Sequence, residues 1–203
     1  ASEWGHSMLQ ICGPEEAQYD EELALMNYIR EKKGAAVEWE DICSSRGLRT
    51  CYDYELSKQN NSSIQNLSSQ ASNPSGQINS QNTNSNDFDQ IKEIEKDPIA
   101  SKALETHFKF IMRFARTCAI GFKCKSVFIT YSVFNDGPKC FQKHIAMCRD
   151  EFMHFTKSEW VSNVSVFIQS SNRNISAMGV MYHAFLELAR SESKDTISME
   201  GID

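Results

Sequence analysis

The chain has 203 residues, a formal net charge of −6 and a pI of about 5.4. That acidic balance, with Lys and Arg scattered along the chain, excludes the electrostatic footprint of a nucleic-acid binder. No apolar run approaches the roughly 18 residues of a membrane span, and the length suits one domain or two small ones.

No charged-then-apolar leader opens the chain, and the first methionine is Met8, so the sequence reads as processed or truncated at its start. Seven cysteines, at 12, 43, 51, 118, 124, 140 and 148, form no CxxC pair. They sit at or beside apolar-periodic positions, as reduced thiols of a cytoplasmic or nuclear protein do. The sequons at Asn60, Asn61, Asn66, Asn163 and Asn174 are then accidents of composition.

From Glu21 to Lys33, Leu23, Met26 and Ile29 recur at helical spacing and Gly34 breaks the pattern. Ala35, Ala36 and Val37 form a short apolar piece suited to an extended segment. A second helix is expected from Glu38 to about Ser45, with Trp39, Ile42 and Cys43 inward, ending near Gly47. Helix, extended piece, helix is the outline of an EF-hand-like unit. The connecting loop, Lys32 to Val37, lacks the alternating carboxylates that calcium requires.

Residues 59–86 hold 8 Asn, 8 Ser and 5 Gln. Such a composition cannot offset the roughly 1–2 kcal/mol per residue of backbone ordering, so a disordered insert over 57–97 is expected. A second block over 98–192 follows, with a flexible tail at 193–203.

Residues 99–190 read as five consecutive amphipathic helices. Asp97-Pro98 starts the first, with Leu104, Phe108, Ile111 and Ala115 as its stripe and Phe110 and Phe114 beside it. Val127, Phe128, Tyr131 and Phe134 mark the second, and Phe141, Ile145, Cys148 and Phe152 the third. Thr156 and Glu159 form a capping box before a fourth, with Trp160, Val164, Phe167 and Ile168 inward. The last buries Met178, Met181, Tyr182, Phe185 and Ala189. The expectation is an all-α fold of two helical lobes.

Catalytic signals are sparse. The histidines at 6, 107, 144, 154 and 183 show no zinc-ligand spacing beyond Cys140, His144 and Cys148 on one predicted helix face. No Gly-rich phosphate loop is present. The acids Glu21 and Glu22, and likewise Glu38, Glu40 and Asp41, read as helix starts offsetting the macrodipole. A compact helical body with apolar grooves and no visible chemistry points to a binding scaffold.

The ordered run Phe108, Phe110, Met112, Phe114, Ala115, Arg116, then Val127 to Tyr131, Trp160 behind Thr156, Ala177 and Phe185 to Arg190 resembles the potentiating-neddylation domain. Leu23 to Ile42 resembles the second EF-hand-like unit of the same family, the defective-in-cullin-neddylation (Dcn-like) proteins. The resemblance implies a ligase scaffold without catalytic residues or cofactor, acting by proximity. Its implied partners are the N-acetylated terminus of a neddylation conjugating enzyme and the cullin C-terminal winged-helix domain, bound by a monomer away from nucleic acid and membrane.

By position, the acetyl-methionine groove would comprise Leu23, Met26, Ile29, Val37, Phe114, Tyr131 and Phe134, residues that would equally well seal two lobes together. The cullin patch would comprise Ser158, Glu159, Ala177, Met178 and His183. Two aspartates of the family pattern are replaced there by Ser158 and His183. Either the client cullin has co-varied, or cullin binding is weak or lost. The alternative is a non-catalytic helical interaction module with another partner.

Overall fold

The computed structural model describes residues 4–68 (side chains as far as Asn60), 97–131, 137–168 (without the Pro138 side chain), 178, 180–188 and 190. Helix α1 (Tyr19–Lys33) has Asp20, Glu21 and Glu22 in its first turn and Arg30, Lys32 and Lys33 in its last, each sign opposing the local end of the dipole. Gly34 closes it in the left-handed region at φ 69°, its N–H donating to the Arg30 carbonyl at 2.8 Å. Leu25 and Ile29 are the apolar side chains α1 buries, beside the buried Glu22, while Leu23 and Met26 lie half-buried on its flank.

Val37 and Glu38 run extended, and Trp39 already has helical backbone angles. Leu9 N–H donates to the Val37 carbonyl at 2.9 Å and Trp39 N–H to the Ser7 carbonyl at 3.2 Å, an antiparallel bridge centred on Met8 and Glu38. Helix α2 (Glu40–Cys43) buries Ile42. The chain turns at Ser44 and re-enters helix as α3 (Ser45–Ser68). The helical block therefore does not stop at Gly47. A Cβ there would stand 2.1 Å from the Ile42 carbonyl oxygen, so glycine lets α3 start hard against α2. Helix α3 runs across the first ten residues of the Asn/Ser/Gln-rich segment. Its positions 69–86 lie outside the described residues.

Helix α4 (Pro98–Gly121) begins as its sequence predicts. Pro98 occupies the first turn, and the Asp97 carboxylate accepts the Ile99 N–H at 2.9 Å. One side of α4 packs Ala103 and Phe110 against Leu25, Ile29, Trp39 and Ile42. The other packs Leu104, Phe108, Ile111 and Met112 against Phe141, Cys148 and Phe152. Each fully buried large side chain contributes about 1.5–3 kcal/mol, so α4 is the wall shared by both clusters.

The second half departs from the all-α expectation. The segments expected as the second and fourth helices contain strands β1 (Ser126–Ile129) and β2 (Ser165–Ile168), paired parallel with Ser126 opposite Ser165 and Ile129 opposite Ile168. Both read Ser-Val-Phe-Ile. Val and Ile turn inward and Phe outward, the period-2 pattern of a half-buried strand. Over four residues that period is indistinguishable from a helical stripe, and so the helical reading failed.

Between the strands, α5 (Gly137–Lys143) and α6 (Ile145–Met153) form the crossover that a parallel pair requires. Phe141, Cys148 and Phe152 are buried there as expected, while Ile145 is exposed. The expected capping box opens only a 3-10 turn, Ser158–Trp160, and no side chain caps it. Trp160 is 56% exposed under the Lys157 ammonium, 4.5 Å from its ring centroid.

Residues 180–188 are helical as expected, but Met178, Met181, Tyr182 and Phe185 are exposed rather than buried. Ala189 lies outside the described residues. No helix among the described residues is long and apolar enough to cross a membrane.

Candidate functional site

The bridge between residues 7–9 and 37–39 places the 3-10 turn Trp4–His6 beside the start of α2. His6 thereby meets two acids more than thirty residues away: Nδ1 lies 3.2 Å from Glu38 Oε2, and Nε2 lies 3.3 Å from Glu40 Oε2. An imidazolium can donate to both carboxylates at once, whereas the neutral ring can donate to one. Arg46 Nη2 approaches the other oxygen of Glu40 at 3.2 Å. Lys33, on the last turn of α1, donates to Asp41 Oδ2 at 2.7 Å and lies 3.3 Å from Glu38 Oε2. Asp41 Oδ2 also accepts the Glu38 backbone N–H at 2.8 Å. These groups rim a cavity of about 460 Å³ floored by the buried Ile29.

The electrostatics follow from the pairing. His6 and then Lys33 hold the Glu38 carboxyl below its ordinary value. The Asp41 carboxylate holds the Lys33 ammonium above its own. Carboxylates carry more acceptor positions than these contacts use, so the cluster still presents oxygens to a ligand. Several acceptors, an imidazole and the Arg46 guanidinium on an open concave surface suit a molecule rich in hydroxyl groups, which donates to the acids and accepts from the ring and the guanidinium.

A larger cavity, of about 890 Å³, lies between residues 10–16, α4 and 153–158. Arg113, Arg116, Glu151, His154 and Glu16 on its wall are already engaged within the protein. Arg113 donates to both oxygens of Glu22, at 2.7 and 2.9 Å, and through Nε to Glu151 at 3.0 Å. Arg116 donates to the Glu151 and His154 carbonyls, and His154 Nε2 meets Glu16 at 2.6 Å. This is a brace between α1, α4 and α6.

The residues expected to form an acetyl-methionine groove do not gather at one open cleft. Ile29 and Val37 are buried in the cluster of α1 to α3, with Met26 and Phe114 packed at its edge. Tyr131 is buried in the other cluster, across α4. Leu23 is half-buried, and Phe134 lies outside the described residues. Of the expected cullin patch, Ser158 and Glu159 are exposed on the 3-10 turn, Met178 and His183 are exposed on the last helical stretch, and Ala177 lies outside the described residues.

His144, expected between two cysteines on one helix face, sits at the break between α5 and α6 with Nδ1 3.0 Å from the Cys140 carbonyl. No group of three possible metal ligands occurs among the described residues. The cluster around His6 escaped the sequence because Glu38, Glu40 and Asp41 read as an ordinary helix start. Only the long-range bridge brings the His6 imidazole to them.

No family model matches the chain. It is 25% identical over 188 residues to a probable glucokinase 2 from Trichomonas vaginalis, covering 90% of this chain and 45% of the relative. Glucokinase 1 of the same organism is 26% identical over 147 residues, covering 72% and 35%. Among solved structures, glucokinase from Balamuthia mandrillaris in complex with glucose superposes with a TM-score of 0.68 at 28% identity, covering 89% of this chain and 46% of that one. Leishmania braziliensis glucokinase superposes with a TM-score of 0.60 at 17% identity, covering 86% and 42%, a likeness of fold alone.

These likenesses overturn the resemblance to the Dcn-like family, and with it the neddylation function and the cullin and conjugating-enzyme partners. The chain spans less than half the length of the curated relatives it matches, and what it is similar to is that stretch of a glucokinase.

Proposed function

We propose that the chain supplies hexose-binding groups of a glucokinase-type sugar kinase. The observation that carries the reading is the convergence of His6, Glu38 and Glu40 on one open cavity, in a fold similar to a glucokinase bound to glucose. In phosphoryl transfer the protein's contribution is chiefly positioning and electrostatics. Glu38 and Glu40 accept from sugar hydroxyls, and His6 donates to or accepts from a third. Together they fix the ring so that one hydroxyl faces the phosphoryl donor, turning an encounter into an oriented reaction. With no Gly-rich phosphate loop in the sequence, no step of donor binding is assigned to these residues.

Titrating glucose into the purified chain, followed by calorimetry and by the fluorescence of Trp4 and Trp39, tests this. Saturable binding abolished by His6→Ala and by Glu40→Gln is expected. Wild-type protein that takes up no glucose overturns the proposal.

A further inference from the structure

We propose that Lys33 and Asp41 are positioning residues that hold the Glu38–Glu40 turn in its hydroxyl-binding geometry without themselves contacting the sugar. The inference rests on the hexose reading of the same site and identifies what sets its geometry.

Three carboxylates, Glu38, Glu40 and Asp41, lie within four consecutive positions and repel one another. One atom organises them. Asp41 Oδ2 accepts the Glu38 backbone N–H at 2.8 Å, which closes the turn, and accepts from Lys33 Nζ at 2.7 Å, which ties that turn to the end of α1. The same ammonium lies 3.3 Å from Glu38 Oε2, the oxygen that also faces His6 Nδ1 at 3.2 Å. Lys33 therefore neutralises part of the crowded negative charge and fixes the side chain that orients the imidazole.

Gly34 lets this happen. Its left-handed conformation stops α1 directly after Lys33 and turns the chain away towards the bridge at Glu38. Release of the Asp41 clamp frees Glu38 to swing. His6 then loses one carboxylate, and the hydroxyl acceptors lose their spacing. A site held loosely in this way binds less well than one whose supporting contacts are fixed.

The experiment measures glucose affinity and the ligand-free melting temperature of the full 203-residue chain in parallel. Asp41→Ala and Lys33→Met should weaken glucose by about tenfold while leaving the ligand-free melting temperature near that of the wild type, because the clamp is partly exposed and outside the core. Asp41→Asn, which keeps an acceptor for the Glu38 N–H but loses the charge facing Lys33, should fall between. Lys33→Arg should restore affinity.

Wild-type affinity in both Asp41→Ala and Lys33→Met overturns the inference and leaves the hexose reading intact. So does a weakening that tracks a lowered melting temperature and is not rescued by Lys33→Arg. Absence of glucose binding by the wild type overturns the hexose reading, and the inference falls with it.

Discussion

His107 lies on α4 with no exposed surface, its Nδ1 2.7 Å from the Ile42 carbonyl oxygen and its ring near Phe108 and Tyr131. A carbonyl only accepts, so Nδ1 carries the proton and Nε2 is the buried acceptor of a neutral ring. Desolvation pushes the pKa down to about 4, against the modest upward pull of the Ile42 carbonyl. The folded pKa is below the unfolded one, so between about pH 6.5 and 4 the unfolded chain binds more protons and stability falls with acidification. A shift of that size is worth about 3 kcal/mol once the pH is below both values. Urea unfolding at pH 7.5 and at pH 4.5 should show most of this loss. His107→Gln, which keeps a donor for the Ile42 carbonyl but does not titrate, should show less of it.

The element-scale counterpart is the brace of Glu22, Arg113 and Glu151, all buried. Burial opposes the charged forms of Arg113 and Glu22. The mutual pairing overrides it, holding Arg113 above its ordinary pKa and Glu22 below its own. Arg113→Met would leave two buried carboxylates without their cation. The expected cost is roughly 3–5 kcal/mol of unfolding free energy, measured by denaturant titration at neutral pH. Replacing all three by apolar residues of similar volume should recover much of that loss.

At this scale legibility was uneven. Asp97, Pro98, the Leu104 to Ala115 stripe and the Gly34 stop announced α4 and α1 correctly, because capping and 3.6-residue spacing are local properties. Glu22 read as a dipole-offsetting surface acid, since its partners lie 91 residues on at Arg113 and nothing local marks it for burial. The strands carry one mark in the sequence. The same four residues, Ser-Val-Phe-Ile, occur twice, at 126–129 and 165–168, and pair with each other in register.

Across the whole molecule, the outer face of that two-stranded sheet presents Phe128, 73% exposed, stacked at 4.8 Å on Phe167, 50% exposed. Parallel strands are normally covered on both faces, and exposed aromatic pairs favour association. The purified chain should therefore bind a hydrophobic dye and elute at a concentration-dependent size. Phe128→Thr combined with Phe167→Thr should reduce both, as read by dye fluorescence and size-exclusion chromatography.

The candidate site was the least legible part of the sequence. Its chemistry is shared between an opening turn and a loop more than thirty residues later. The bridge has a dynamic consequence as well. His6 is carried on a short ribbon fastened to the body by the Leu9 and Trp39 amide protons, by the buried Leu9 side chain and by Trp4 packed on Phe122, so local opening of this edge would dismantle the acceptor cluster. A bound sugar bridging His6 to Glu40 would hold the ribbon down, and those two amides should then exchange with deuterated solvent markedly more slowly.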